Sequence, residues 1–114
     1  MKIGNFQPLR LKKEIYKTKF SNHSIKSKIF NLKFIKSEEN KVAFIIKKKI
    51  ANAVKRNKIK RRIRSVLSLI KNNSEIKINL IFIVKQEILE ANFQQIKDNI
   101  ENCCKKCYEL INEK

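Results

Sequence analysis

One stretch constrains this chain more than any other. Residues 47–64 read KKKIANAVKRNKIKRRIR, with ten Lys or Arg in eighteen positions and no acidic residue. The segment nevertheless keeps a helical beat. Apolar residues recur at Ile59, Ile63, Val66, Leu67 and Ile70, the i, i+4, i+7, i+8, i+11 spacing of one buried helix face. At about 100° per residue, Asn57, Lys60, Arg61 and Arg64 fall within roughly a 100° arc turned away from that face, and Arg56 lies at the boundary. The pattern predicts a helix from a cap at Asn52 to about Lys71. One side of it packs, and another presents a dense array of hydrogen-bond donors.

Charge alone proves little in a lysine-rich chain, because a solvated face would show it too. The arginines are more telling. Only five occur against 23 lysines, and four of them (Arg56, Arg61, Arg62, Arg64) share one nine-residue window. A guanidinium offers a planar fork that grips phosphate with two bonds and stacks on bases, which an ammonium does not. Concentrating the scarce residue where Lys would supply equal charge marks a polyanion-binding helix.

The whole chain agrees. With 114 residues it reads as a single domain over residues 1–114, long enough for a modest core. A formal charge of +18 and a pI near 10.1 call for a polyanionic partner that relieves self-repulsion. A membrane surface is the rival partner. However, the N-terminus MKIGNFQPLR has no apolar core of signal-peptide length, and the longest apolar runs, 42–46 and 80–84, are five residues each. The expectation is a soluble, cytoplasmic protein. Three cysteines confined to residues 103–107 form no disulfide framework and fit a reducing compartment.

Along the chain, residues 1–9 hold the only Gly and the only Pro and read as an irregular lead-in. Residues 12–20 form a short helix, and 21–27 are polar and turn-like. Residues 28–35 alternate Phe30, Leu32 and Phe34 against Asn31 and Lys33, the pattern of a half-buried strand. A turn at 37–40 leads to a second strand, 41–47, and the two make an antiparallel hairpin. After the basic helix, 71–75 is a polar turn. INLIFIV at 78–84 is apolar throughout save Asn79, hence a strand covered on both faces. The last helix, about 91–111, aligns Phe93, Ile96, Ile100, Cys104, Cys107 and Ile111. The fold class is α+β: a small, mostly antiparallel sheet with helices packed on it, in the order α-β-β-α-β-α.

A catalytic site on the protein is hard to find. His23 is the sole histidine and reads as a solvated loop residue, Glu38 and Glu39 sit in a turn, and one Gly cannot make a phosphate-cradling loop. Cys103, Cys104 and Cys107 would all come from one helix with no fourth ligand, so packing rather than metal binding explains them. The aromatics Tyr16, Phe20, Phe30, Phe34 and Phe44 all precede the basic helix, on elements able to form one surface for stacking single-stranded bases. For Phe44 a core position is the better reading. For Tyr16 and Phe20 core and surface stand equal.

Residues 53–64, AVKRNKIKRRIR, carry AV-x-RN-x-x-KR-x-x-R after Lys48 and Lys49. That pattern resembles the signature of the bacterial ribonuclease P protein subunit. The likeness extends further: Arg10-Leu11-Lys12-Lys13 resembles the approach to the family's first helix. Tyr16 and Phe20 fall where the family carries two aromatics, if one residue is missing after Lys13. Lys85 follows the last strand where the family has a basic residue. Ala43 and Ala51 depart from it, standing where glycine is usual, and the strand at 28–35 lacks a tyrosine found in some members.

The resemblance implies a compact α/β sandwich with a left-handed β–α–β crossover, an exception to the usual hand. It implies a protein without catalytic groups of its own, partnered with an RNA subunit that hydrolyses the 5′ leader from precursor transfer RNA using Mg²⁺. Lys48, Lys49, Lys55, Arg56, Asn57, Lys60, Arg61 and Arg64 would bind the RNA subunit. A cleft between the first helix and the sheet, with Tyr16, Phe20, Phe34 and Lys85, would receive the leader. The alternatives are a ribosomal or ribosome-associated RNA-binding protein, which has no reason to reproduce this arginine pattern, and a self-sufficient nuclease, which would need a carboxylate or histidine cluster.

Overall fold

The computed structural model describes residues 6–21, 23–69 and 76–112. Ile70, the expected polar turn at 71–75 and the first five residues of the lead-in lie outside them. The elements run β1 (Gln7–Pro8), α1 (Lys12–Lys19), β2 (Ser24–Lys26), β3 (Phe30–Ser37), β4 (Lys41–Ile45), α2 (Ala53–Leu69), β5 (Lys77–Val84), a 3-10 turn (Gln86–Glu90) and α3 (Phe93–Asn112). The three helices and three long strands stand where periodicity puts them.

The sheet is not the expected hairpin plus one strand. Its order is β1-β4-β5-β3-β2, so β5 separates β3 from β4. It pairs antiparallel with β3 over Phe30–Ser37 and parallel with β4 over Lys41–Ile45. The sheet is therefore mixed rather than mostly antiparallel, and β4–α2–β5 is a parallel crossover unit. The reason lies in the apolar run of β5. Ile78, Leu80, Phe82 and Val84 are buried on one face and Ile81 on the other, and only a central strand covers both. Asn40 helps hold it there, its Oδ1 accepting the Ile78 N–H at 3.0 Å.

Two short strands are additions to the sequence reading. β2 lies within the expected turn and pairs antiparallel with β3, burying Ile25. β1 lies within the expected lead-in and runs parallel to β4. Gln7 and Leu9 donate to the carbonyls of Asn40 and Val42 at 2.9 Å each. Pro8, with no N–H, takes the intervening position at the sheet edge, where the ladder asks nothing of it.

Alternation along the strands builds three layers. Phe30, Leu32, Phe34, Val42, Leu80, Phe82 and Val84 form the core together with Ile59, Ile63, Val66 and Leu67 of α2 and Ile96, Ile100, Cys104 and Cys107 of α3. Residues of opposite parity face the other way, toward α1: Lys41 on that side pairs with Glu14 at 3.2 Å, and Thr18 of α1 is fully buried. Hence α2 and α3 cover one face of the sheet and α1 covers part of the other. Among the described residues no helix is long and apolar enough to cross a membrane.

Candidate nucleic-acid interface

The basic helix is locally well specified. Asn52 Oδ1 accepts the Lys55 N–H at 2.9 Å, and the Asn52 carbonyl accepts that of Arg56 at 2.8 Å, a helix start satisfied by its cap. Ile59, Ile63, Val66 and Leu67 are buried as the periodicity requires. Opposite them Asn57, Arg61 and Arg64 are exposed, Lys55 is exposed in the first turn of the helix, and Lys60 and Arg56 are half-buried. Lys48 and Lys49 are exposed in the turn before the helix.

Two of the arginines are held by the protein. Arg56 donates from Nη1 to the carbonyl of buried Ala51 at 2.9 Å, which ties the helix to the turn preceding it. Arg64 sits over the Phe44 ring, 5.4 Å from its centroid. Among the described residues the Lys41–Glu14 bridge is the one ion pair, so no carboxylate neutralises the α2 cations. Their field stays available to an external polyanion.

The aromatic residues do not form a single surface. Tyr16 and Phe20 are 68 % and 63 % exposed, with ring centroids 4.6 Å apart. At about 100° per residue both lie roughly 160° around α1 from buried Thr18, turned to solvent and away from the sheet. Lys19 reaches over the Phe20 ring at 5.8 Å. Surface, not core, is the answer for this pair. Phe34, expected to bind with them, is a correction: it is fully buried in the core beside Phe30 and Leu32, and no base can reach its ring. His23 is a second correction, for it is not a freely solvated loop residue. It is half-buried and stacks on Phe34 at 5.2 Å. Phe44 is half-buried, packed against the core.

Beside α1 the outer sheet face carries a half-buried strip, in which Ile45, Ile83 and Asn31 lie side by side across β4, β5 and β3, with Lys26 of β2 next in the row. Lys33 flanks it. At its end Lys85, also half-buried, donates from Nζ to the Ser27 carbonyl at 2.6 Å. One of its three donors is thereby committed, fixing the ammonium near the strip.

The cysteines behave as small hydrophobes. All three are buried and free, Cys103 included, which periodicity had not singled out. Burial pushes the Cys104 thiol up to about 12, with Cys103 beside it adding to the effect. Burial raises Cys107 and, against the pull of Lys106, Cys103 as well. The described residues include no group of three or more His, Cys, Asp or Glu placed to hold a metal.

Comparison with known proteins places this geometry. The family model for ribonuclease P matches residues 4–108. The ribonuclease P protein component of Caldanaerobacter subterraneus is 31% identical over 67 residues, 59% of this chain and 58% of that protein. That of Mycoplasma mobile is 37% identical over 70 residues, 61% and 62% of the two. The matched stretch thus spans little more than half of such relatives. Among solved structures, the Staphylococcus aureus RNase P protein superposes with a TM-score of 0.76 at 23% identity, covering 88% of this chain and 94% of that one. The Thermotoga maritima protein gives 0.72 at 20% identity, covering 84% and 93%. These structures share the fold.

Proposed function

The chain belongs to the ribonuclease P family, and from that premise we propose that it is the protein subunit of a ribonucleoprotein that removes the 5′ leader of precursor transfer RNA. The observation that carries the proposal is the donor array of α2: Lys55, Asn57, Arg61 and Arg64 exposed on a capped helix with no carboxylate partner among the described residues. Together with Lys48, Lys49, Arg56 and Lys60, it binds phosphates of a folded RNA subunit. Each neutralised phosphate releases condensed counterion, so affinity falls steeply with salt.

The leader is held on the other side of the sheet. Tyr16 and Phe20 offer stacking faces worth about 1–3 kcal/mol per base, while Lys85 supplies charge beside the half-buried strip. Precursor is thereby favoured over mature product, which has no leader to stack. Stacking and phosphate contacts tolerate any base, so sequence preference is weak. Mg²⁺ takes oxygen ligands, carboxylates above all, and the α2 array consists of cations and the single amide of Asn57. The RNA subunit and the scissile phosphate would hold the ions, and the RNA subunit would supply the hydrolysis, in the cytoplasm. A ribosomal role has no support beside the family match.

The test is cleavage of precursor transfer RNA by the protein alone, by a bacterial ribonuclease P RNA alone, and by the two together at low Mg²⁺. Activity only in combination is expected. Cleavage by RNA-free protein overturns the mechanism, and failure with several RNA types overturns the assignment of the partner.

A further inference from the structure

Arg64 differs from the other cations of α2 in what holds it. Among the described residues its guanidinium meets the Phe44 ring, whose centroid lies 5.4 Å from the guanidinium carbon. Phe44 lies nearly parallel to Phe82, at 5.8 Å and 19°, its partner in the β4–β5 register. Phe82 is fully buried and meets Phe30 edge-on at 5.0 Å. The ring beneath Arg64 is therefore seated on the core rather than loose at the surface.

A guanidinium attracted to an aromatic ring stays fully charged, because the ring's quadrupole satisfies it without a counter-charge. Its N–H donors remain uncommitted. A carboxylate partner would occupy two of them and cancel the charge that phosphate must feel. A long cation with no support would lose rotamer freedom on binding, whereas one already held against a ring loses less.

We propose that Phe44 is a positioning residue for RNA recognition: seated on Phe82, its ring holds the Arg64 guanidinium in place so that its N–H donors meet an RNA phosphate. Phe44 itself acts through Arg64. The inference rests on α2 binding the RNA subunit and adds the device that orders one of its contacts.

The test is a double-mutant cycle on the full chain, read as affinity for a bacterial ribonuclease P RNA transcript at two salt concentrations. Phe44→Leu and Arg64→Ala are each expected to lower affinity about fivefold, with the double variant no weaker than Arg64→Ala alone. Both single variants should flatten the salt dependence by a similar amount, and Phe44→Tyr, which keeps the ring, should bind as wild type. Independent losses in the double variant overturn the proposal, as does wild-type affinity in either single variant. Should Phe44→Leu fail to fold, Arg64→Lys decides: it keeps the charge without the planar fork, and unchanged affinity overturns the proposal. A wild-type chain that does not bind the RNA overturns the functional reading instead.

Discussion

The exposed faces of α1 and α2 are both rich in cations, yet they are built for different work. On α2 the donors are the crest of the helix, and Ile59, Ile63, Val66 and Leu67 go to the core, with only Val54 and Leu69 near its two ends left exposed among its large apolar residues. On α1 the order is inverted: Thr18 is buried, while Tyr16 and Phe20 are given to solvent. Burying two such rings would be worth several kcal/mol, so folding stability does not explain their exposure. On the proposed function a helix that leaves two aromatic rings outside suits a flat partner, and one that leaves its arginines outside suits a charged one. Salt separates the two, since stacking is nearly indifferent to ionic strength and phosphate contacts are not.

The strongest way to break this contrast is to move between identical residue types. Phe34→Ala removes a fully buried ring and should cost about 3–5 kcal/mol of stability, much of what a domain this size has. Thermal or denaturant unfolding reads it directly. Phe20→Ala should barely shift the same curve. If it destabilises comparably, the α1 pair is core after all.

Next in size, the double change Tyr16→Ala with Phe20→Ala should lower affinity for leader-bearing precursor transfer RNA about tenfold or more. The factor should be nearly equal at low and high salt, and mature transfer RNA and RNA-subunit affinity should hardly change. A loss that vanishes at high salt would assign these residues to charge rather than stacking. Arg61→Ala sharpens the other side. We expect about a fivefold loss of RNA-subunit affinity, shrinking as salt rises, with a slope lower by about 0.7–0.9. An unchanged slope removes Arg61 from the phosphate contacts.

The smallest effect concerns the cysteines. Cys104 keeps its proton to about 12 in the folded protein, against an ordinary thiol value of 9.0. A raised folded value means that its contribution is complete below pH 9. As pH climbs from about 9 to 12 the unfolded thiol ionises first, and stability falls over that window. Comparing unfolding midpoints at pH 8 and 10.5 for wild type and Cys104→Ala should show a shallower decline in the variant. Identical slopes would mean that the thiol is not desolvated.

The helices were legible because their signals are local. Asn52 and the spacing of Ile59, Ile63 and Val66 define α2 without reference to anything else, and the donor array follows from the same wheel. The central place of β5 was partly legible, because an apolar run demands cover on both faces. The β3–β4 hairpin was misread because nothing in the turn at 37–40 says whether its two strands touch or admit a third between them. β1 and β2 were invisible: a Gln-Pro pair and a strand with Ile25 as its sole buried residue carry no period. Phe34 was misassigned to the surface although its alternation with Phe30 and Leu32 placed it inside. The exposure of Tyr16 and Phe20 could not be read from composition, since rings at that spacing on a short helix serve a core equally well. His23 over Phe34 is a contact between residues eleven positions apart in sequence, and only the folded sheet brings them together.

The layering has a consequence for how this chain occupies space. α1 and α2 are two outer skins of a plate whose shortest extent is 25 Å, one presenting rings and the other guanidinium groups. On the proposed function such a plate does not lay both skins on one duplex and would fit between two polyanionic segments. There it would act as a counterion with a definite shape, sparing the segments their mutual repulsion while fixing how far apart they stand. A cloud of mobile Mg²⁺ can supply the first service at high concentration, but it cannot set the distance.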